Sequence, residues 1–499
     1  MSKKYVLGLD QGTTGTSALL FDEKWHQVAR GYQEVEQYYP QPGWVEHNGE
    51  QLYQTLLQST QRALKNIGAR AEEIKCIGID NQGESVIAWD SETGKPVCPV
   101  IVWQDRRTAR EVDILNQDYA QLFIQRTGLK LDAYFGATKI RWILKNIPLA
   151  QELVKKKRLM VGSLDSWFIW KLTGGKEFVT DCVTASRTCL FNIEKFCWDR
   201  EILSLLEIPV EILPQIRENA CHFGMTNPSE FFGQEIPITA SIVDQQGALL
   251  GQGCCYKGDT KTTYGTGCFM LMNTGTQRLQ DNQSGLLSTL ALVQNGKASF
   301  ALDGGIYIAG AATKWLQNGI KITQSSKHTD ELAESVKDNG GVFFVPAFTG
   351  LASPHWDSYA RGAMFGITAG TTEAHIARAT LESIAYQVRD IFDKLNEIND
   401  QPMKSMRVDG GSTNSDFLMQ FQADILGVPI EVPVIHETTA LGTAYLAGLG
   451  FGELSSLTEI ATLWKRKKLF EPTMSADNRE YLLAKWRKAV ERAKGWALE

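Results

Sequence analysis

A short apolar strand that leads into a turn of glycine and threonine occurs twice in this sequence, about half a chain apart. The first copy is the run 5–8 (YVLG) followed by 9–14 (LDQGTT), and the second is 263–267 (TYGTG) followed by 268–272 (CFMLM). In such turns glycine lets the backbone approach an anion, while threonine hydroxyls and backbone N–H groups donate to phosphate oxygens. Asp10 can hold a metal-bound water. The pair of turns predicts a nucleotide bound between two similar halves.

Each turn taken alone is more typical of a plain strand–turn–strand hairpin. A third segment, 406–411 (MRVDGG), strengthens the nucleotide interpretation because it is followed by apolar residues at helical spacing. These residues are Phe417, Leu418, Phe421, Ile425 and Leu426. Strand, glycine turn and helix in this order can cover an adenosine.

Length and charge restrict the class of protein. The 499 residues are too many for one ordinary core and predict about two to four domains. The net charge is −6, and acidic and basic residues are interspersed. This pattern predicts neither a nucleic-acid groove nor a surface for anionic membranes, and the basic run 465–468 (KRKK) is interpreted as solvated.

The cysteines favour a reducing compartment. All nine are scattered singly apart from Cys254-Cys255, with no C-x-x-C pair and no Cys/His metal spacing. The sequence also contains no apolar stretch that approaches the length of a membrane span. We therefore expect a cytoplasmic protein with reduced thiols and no membrane insertion.

Strand-like and helix-like segments alternate, which predicts α/β layers. Strands are expected at 76–79, 100–103, 236–240, 299–302 and 341–345, and helices at 50–66, 372–396 and 477–494. We predict two domains, 1–250 and 251–499, with the boundary near residues 251–258. Because no low-complexity linker marks it, a cleft that hinges through packed elements is expected.

Many segments, spread nearly from end to end, resemble the FGGY carbohydrate kinases and, within that family, the glycerol kinases most. These segments are 42–47 (PGWVEH), 101–109 (IVWQDRRTA), 170–175 (WKLTGG), 185–188 (ASRT), 264–275 (YGTGCFMLMNTG), 409–411 (DGG) and 417–422 (FLMQFQ). The stretch from 362–367 (GAMFGI) to 379–382 (ATLE) fits a defining signature of the family. The resemblance implies two ribonuclease-H-like domains of the actin, Hsp70 and sugar-kinase superfamily, closing over ATP and an acceptor in an interdomain cleft.

The resemblance implies a general base and a metal site. Phosphoryl transfer to an alcohol needs a carboxylate that accepts the hydroxyl proton, and Mg²⁺ to neutralise developing charge. Asp244 matches the catalytic aspartate of the family, and Asp10 and Asp244 would hold Mg²⁺ largely through water. Without the resemblance, the residues favour an interpretation of Asp244 as the N-cap of a helix at 246–250.

The remaining implied site residues form two groups. Trp103 and Phe269 would pack on the carbon chain of the acceptor, while Glu84, Tyr134, Asp244 and Gln245 would hydrogen-bond its hydroxyls. Taken separately, each aromatic residue is more typical of a plain core, and Glu84 is more typical of a solvated surface charge. The residues implied to bind the nucleotide are Thr13, Thr14, Gly265, Thr266, Gly267, Gly310, Lys314, Gly410, Gly411 and Ser415.

The sequence departs from the glycerol kinases at several positions. Gly83, which belongs to the implied acceptor site, stands where the glycerol kinases have an arginine, directly before the pocket glutamate. A charged hydrogen-bond donor is therefore lost, and we expect extra room where the guanidinium would lie. Gly15-Thr16-Ser17 replaces their usual Ser-Ser-Arg, so a second arginine, on the phosphate side, is missing. Ser415 replaces an Asn and Lys314 replaces a common Gln. We expect these two changes to affect function less, because the backbone of the glycines makes most of the contacts with the nucleotide.

The predicted function is ATP-dependent, in-line phosphorylation of a primary hydroxyl of a small polyol, with glycerol and its product sn-glycerol 3-phosphate favoured. One alternative is an FGGY kinase for another small polyol or ketose, suggested by Gly83. Another is a weakly active homologue that binds nucleotide for regulation, although the retained Asp10 and Asp244 argue against it. Family members are often dimers or tetramers, so a homo-oligomer is expected.

Overall fold

The computed structural model describes residues 3–279, 284–400 and 402–498; the outermost residues of the two predicted domains, 1–2 and 499, lie outside this description. The strands are β1 Tyr5–Gln11, β2 Gly15–Phe21, β3 Gln27–Glu34, β4 Glu46–His47, β5 Ile74–Asn81, β6 Ile87–Asp90, β7 Val100–Ile101, β8 Leu159–Gly162, β9 Val179–Asp181, β10 Phe191–Asn192, β11 Cys197–Trp198, β12 Gln215–Arg217, β13 Ala220–Met225, β14 Pro237–Val243, β15 Thr260–Tyr264, β16 Cys268–Gly275, β17 Leu287–Gln294, β18 Lys297–Ile306, β19 Phe343–Val345, β20 Ala363–Phe365, β21 Met406–Asp409, β22 Ile430–Pro433 and β23 Arg466–Phe470.

The α-helices alternate with these strands. They are α1 Gly49–Asn66, α2 Ala109–Thr127, α3 Gly136–Asn146, α4 Pro148–Lys155, α5 Leu164–Leu172, α6 Cys182–Ser186, α7 Arg200–Leu205, α8 Asp244–Gly251, α9 Gly310–Asn318, α10 Ser326–Glu334, α11 Glu373–Ile398, α12 Asp416–Leu426, α13 Thr438–Phe451, α14 Leu457–Leu463 and α15 Ala476–Ala493. None of the helices in the described ranges combines the length and the apolar character that crossing a membrane requires.

Two large mixed sheets repeat one topology. The first has the order β13-β14-β5-β1-β2-β3, and the second β17-β18-β16-β15-β21-β22-β23. In the first, β1 pairs antiparallel with β2 and parallel with β5, which is parallel to β14. In the second, β15 pairs antiparallel with β16 and parallel with β21, which is parallel to β22. This repeat confirms the predicted α/β fold with two ribonuclease-H-like halves, while the boundary near 251–258 stays a prediction.

Most of the predicted elements are present, with small differences at their ends. The helix expected at 372–396 is α11, and that expected at 477–494 is α15. The strand expected at 341–345 begins only at Phe343, because Gly340 and Gly341 adopt φ values of 61° and 79° and make a turn. The strand expected at 100–103 ends at Ile101, after which the backbone N–H groups bond within a loop, as from Asp105 to the carbonyl of Val102.

Helices α8 and α13 cross between the two sheets at glycines. A Cβ on Gly442 of α13 would lie 1.9 Å from the carbonyl oxygen of Gly247 in α8, and one on Gly251 would lie 1.9 Å from that of Thr438. Thr438 donates to Asp409 at the end of β21, and Thr443 donates to Asp80 in β5. Helix α13 therefore bonds to both sheets.

Candidate active site between the two sheets

The first predicted phosphate turn, residues 12–14, connects β1 to β2. Its backbone is fixed at both ends, since the N–H of Gly12 donates to the carbonyl of Gly15 at 3.0 Å and that of Val35 to the carbonyl of Thr14 at 3.0 Å. The indole N–H of Trp103 donates to the Thr13 hydroxyl at 2.8 Å. Thr13, which is implied to bind the nucleotide, is thus hydrogen-bonded directly to Trp103, which is implied to bind the acceptor.

The second turn, residues 265–267, is covered by the backbone at the start of α9. Gly310 begins α9, and its N–H donates to the carbonyl of Gly265, while the N–H groups of Ala309 and Ala311 both donate to the carbonyl of Thr266. A Cβ on Gly310 would lie 2.6 Å from the Gly265 oxygen. This position therefore requires glycine.

The adenosine motif packs against the same turn. Gly410, at φ 89°, lies so close to the carbonyl of Tyr264 that a Cβ would approach it to 2.3 Å, whereas a Cβ on Gly411 would meet nothing within 4 Å. Ser415 caps α12 by accepting from the N–H of Leu418, and it also donates to Asp330 at 2.6 Å. Lys314 lies exposed on α9. The structure thus gathers the predicted glycines into one backbone surface, while Ser415 serves first as a helix cap.

Three carboxyl groups gather at the ends of β1, β5 and β14. Asp10 lies in register with Asp80 on the neighbouring strand, and Asp244 follows β14 directly. Burial raises the pKa of Asp244 to about 7, and the negative charges of Glu84 and Asp10 act in the same direction. Burial likewise raises the pKa of Asp10 to about 6 and holds that of Asp80 well above its usual range. The cluster is therefore short of positive charge.

Asp244 is the first residue of α8, and Val243 occupies the N-cap position, so the interpretation of Asp244 as an N-cap is wrong. Its Oδ1 accepts from the N–H of Gln245 at 2.6 Å. Within the described ranges no group of three or more His, Cys, Asp or Glu side chains is arranged to enclose a metal ion. Two desolvated carboxylates with raised pKa values suit a hard divalent cation that keeps much of its water and takes further oxygens from a ligand.

The implied acceptor residues lie together beside these acids. Trp103 contacts Tyr134 and Phe269 edge to face, with ring centroids 5.7 and 6.3 Å apart. Glu84 is only 5% exposed, so the interpretation of its carboxylate as a solvated charge is wrong. The three aromatic residues are half-buried rather than sealed in the core.

A buried arginine that the sequence analysis did not single out holds Glu84. The guanidinium of Arg187 donates to Glu84 at 2.6 Å and to Asp303 at 3.0 Å, and it lies above the ring of Tyr134. Its side chain is 3% exposed. The only hint in the sequence is its place in the segment 185–188, because Glu84, in the turn after β5, and Asp303, on β18, are both distant in sequence.

A buried lysine is the second residue that was missed. Lys261 lies in β15, and its ammonium group donates to Gln245 Oε1 at 2.6 Å and to the Thr263 hydroxyl at 2.9 Å. Burial lowers the pKa of Lys261, while its positive charge acts to lower that of Asp244. The sequence did contain a signal for this residue, namely a lysine inside an otherwise uncharged strand. Lysines are rarely buried without a partner, so a buried lysine indicates a polar or charged neighbour.

The space directly beside the Cα of Gly83 is occupied, so the structure does not support the extra room expected at that point. A Cβ on Gly83 would lie 2.6 Å from Cγ2 of Val243, and the Val243 side chain is 1% exposed. A β-branched side chain has few alternative rotamers and cannot easily yield. Val243 therefore fills the space that a side chain at position 83 would need.

Family models and known proteins give a consistent assignment. Residues 5–251 match the N-terminal domain, and residues 260–451 the C-terminal domain, of the FGGY family of carbohydrate kinases. The chain is 51% identical to glycerol kinase 2 of Thermotoga maritima, with 99% of each chain covered, and 48% identical to glycerol kinase of Petrotoga mobilis, with 100% of each covered.

Solved structures agree with this assignment. The structure of Plasmodium falciparum glycerol kinase with ADP superposes with a TM-score of 0.90 at 35% identity, covering 99% of this chain and 98% of that one. Xylulose kinase from Lactobacillus acidophilus, at 22% identity and a TM-score of 0.88 with 99% of each chain covered, shares the fold. With family models spanning both halves, the chain belongs to the FGGY family of carbohydrate kinases.

Proposed function

We propose that this protein transfers the γ-phosphoryl group of ATP to a primary hydroxyl of glycerol and forms sn-glycerol 3-phosphate. The observation that carries the proposal is the position of Asp244, which follows a buried strand and has a pKa raised to about 7 by burial and by the charges of Glu84 and Asp10. A base with a pKa near the working pH is suited to accept a hydroxyl proton. Full-length relatives named glycerol kinase, at 48 to 51% identity, support glycerol as acceptor.

Asp244 would accept the proton from the attacking hydroxyl as the bond to phosphorus forms. Asp10 and Asp244 would together hold Mg²⁺, largely through water, and the bound ion would neutralise charge on the phosphates. The ammonium group of Lys261, two residues before Thr263, adds a fixed positive charge beside Gln245. Asp244 therefore lies near both negatively charged carboxylates, those of Asp10 and Glu84, and the positively charged ammonium group of Lys261.

The acceptor would lie between the aromatic residues and the buried polar groups. Trp103 and Phe269 would cover its carbon chain, Tyr134 would bond a hydroxyl, and the carboxylate of Glu84 and the amide of Gln245 would bond the others. Arg187 and Lys261 hold Glu84 and Gln245 in place. Side chains held in this way lose little entropy on binding.

The nucleotide would lie along the two turns and the adenosine motif. We propose that its phosphates contact the residues of the turns, and its adenosine the remaining ones. The residues proposed for the phosphates are Thr13, Thr14, Gly265, Thr266 and Gly267, and those for the adenosine Gly310, Lys314, Gly410, Gly411 and Ser415.

A different small polyol or a ketose is the second candidate acceptor, suggested by Gly83. Because Val243 fills the space directly beside the Cα of Gly83, the structure gives no sign of added room for a longer chain at that point. This observation weakens the second candidate and leaves glycerol favoured. The third possibility, a nucleotide-binding homologue with little activity, is disfavoured by the intact pair Asp10 and Asp244.

Initial rates of ADP release with Mg-ATP test the proposal, with glycerol, dihydroxyacetone, erythritol, threitol, xylitol, ribulose and xylulose as acceptors and a reaction without acceptor as control. We expect the highest kcat/KM for glycerol. A higher value for a longer acceptor would replace glycerol in the proposal, and no turnover with any acceptor would favour the nucleotide-binding alternative.

The pair Gly83 and Val243 supplies a second test of the acceptor. Gly83→Arg should fold poorly, whereas Gly83→Arg with Val243→Ala should regain the melting temperature and leave glycerol the best acceptor. If the single variant is stable and prefers longer acceptors, our account of this corner of the pocket is wrong. We further propose that the protein is cytoplasmic and assembles as a dimer or tetramer, which fractionation and sedimentation would test.

A further inference from the structure

Two side chains on β3 stand beside the positions where the first phosphate turn departs from glycerol kinases. The ring of Tyr32 lies where a side chain at position 15 would point, since a Cβ on Gly15 would come within 2.2 Å of the Tyr32 hydroxyl oxygen. The guanidinium of Arg30 donates to the Ser17 hydroxyl at 3.3 Å. Strand β3 thus supplies an arginine beside the position where the expected arginine is missing.

The strand register places Arg30 at this end of the cleft. Ser17 pairs with Asp10 on β1 and with Tyr32 on β3, and Leu19 pairs with Arg30. Residues two apart on a strand share a face, so Arg30 is the diagonal neighbour of Ser17. The Arg30 guanidinium lies 5.1 Å from the centre of the Tyr32 ring, and the Tyr32 hydroxyl donates to the carbonyl of Thr14 at 3.4 Å.

The present partner of Arg30 can be exchanged. Arg30 pairs with Glu437 at 3.0 Å, and the two side chains are 41% and 35% exposed. Glu437 is the residue that precedes α13. An ion pair this exposed is weak, so an anion with more charge can displace the carboxylate at little cost.

We propose that Arg30 contacts the terminal phosphates of the nucleotide from the side of the first turn, and that it leaves Glu437 to do so. Arg30 thereby supplies the positive charge that glycerol kinases place at position 17. The inference rests on the proposed function only in taking ATP as the phosphoryl donor. A guanidinium is suited to the task because its donors match two phosphate oxygens at once.

A purely structural role would give a different pattern of mutant effects. If Arg30 only joins β3 to the start of α13, removing either partner of the ion pair should have the same consequence. If Arg30 binds phosphate, removing Glu437 frees it for the nucleotide. The variants Arg30→Ala and Glu437→Gln therefore separate the two roles.

The experiment is calorimetric titration of the full-length protein with Mg-AMP-PNP and with AMP, without acceptor. We expect Arg30→Ala to weaken AMP-PNP binding by about 10- to 100-fold, the usual loss for a charged hydrogen bond, with AMP affinity unchanged. Glu437→Gln should bind AMP-PNP at least as tightly as the wild type. Ser17→Arg combined with Arg30→Ala should regain most of the lost affinity.

The proposal is overturned if Arg30→Ala binds AMP-PNP within about twofold of the wild type, or if Glu437→Gln loses as much affinity as Arg30→Ala. Should Arg30→Ala melt well below the wild type, Arg30→Gln is titrated instead, because its amide can keep the bond to Ser17. Since no acceptor is present, a wrong choice of acceptor leaves this result intact, and the acceptor panel on the wild type tests glycerol independently.

Discussion

The two halves of the molecule share a sheet topology but carry different side chains at equivalent positions before their glycine turns. In the first half Asp10 precedes the turn and lies in register with Asp80, whereas in the second half Thr263 takes the place of Asp10 and lies in register with Asp409. The second half also carries the buried Lys261 two residues earlier. The repeated scaffold therefore fixes where the turns meet, while the residue two positions before each turn decides which half supplies a carboxylate at that point.

The turns themselves also differ in how they are held. The first is held by backbone bonds and in addition by a side chain, since Thr13 accepts from the indole N–H of Trp103. The second is held by backbone, since Gly310 and Ala309 donate to its carbonyls. We therefore expect loss of a side-chain bond to be costly at the first turn, and an added Cβ to be costly at Gly310 beside the second turn and at the helix crossing.

Asp244→Asn should have the largest effect, because it removes the proton acceptor that only the first half provides. We expect kcat to fall by about 100- to 10,000-fold, with the affinity for ADP little changed, as measured by coupled assay and calorimetry. Asparagine keeps the shape of the side chain and can still accept from the N–H of Gln245. Unchanged turnover would exclude Asp244 as the base.

Gly442→Ala should destabilise both halves together, since its Cβ would lie 1.9 Å from the carbonyl of Gly247. We expect a loss of about 1 to 3 kcal/mol in the free energy of unfolding, measured by chemical denaturation. Gly370→Ala is the matched control, because that glycine is exposed and its nearest neighbouring atom would be 3.9 Å away. Equal stabilities of the two variants would contradict the close helix crossing.

Thr13→Val and Thr266→Val compare equivalent positions of the two turns. Thr13→Val leaves the indole N–H of Trp103 without its acceptor, so we expect KM for the acceptor to rise by about five- to tenfold. Thr266 bonds α9 through its carbonyl, which valine retains, so its variant should keep its melting temperature and acceptor KM. A similar rise in the acceptor KM of both variants would erase the proposed difference between the turns.

Asp165→Asn should have the smallest effect, and it probes carboxyl groups buried in the first half. Burial raises the pKa of Asp165 to about 7 and that of Asp181 to about 6, and both carboxyl groups accept from the hydroxyl of Ser241 on β14. The folded protein then holds these protons more tightly than the unfolded chain, so their contribution to stability is lost as pH rises from about 4 to 7.

Asparagine at position 165 mimics the protonated acid and removes part of this loss. Relative to the wild type, the variant should therefore gain about 1 to 2 kcal/mol more in the free energy of unfolding at pH 8 than at pH 5, measured by urea denaturation. A difference between variant and wild type that does not change with pH would contradict a raised pKa of Asp165 that lies within this range.

Much of the fold could be predicted from local patterns. Glycine turns after apolar runs marked β1 and β15, and helical spacing marked α12, because these signals lie within about ten residues of sequence. The position of Asp244 after a strand was predictable for the same reason. Such segments can be predicted from sequence because their local conformational preference agrees with the conformation that they adopt in the fold.

The contacts that complete the site were not predictable in this way. Arg187 meets Glu84 and Asp303 across more than 100 positions of sequence, and Val243 meets Gly83 only through the register of β14 and β5. Arg30 reaches Ser17 diagonally across two strands. In each case the partner is distant in sequence and near in space, which periodicity alone cannot reveal.

The glycine crossing of α8 and α13 has a mechanical consequence. Where backbone lies directly on backbone, few side chains interlock, so a small turn of one helix about the other breaks little packing. Asp244 opens α8, and α13 is bonded to both sheets. We therefore expect the two halves to rotate about this helix crossing. Asp244 would then move little, while the residues at the outer edges of the cleft would move most.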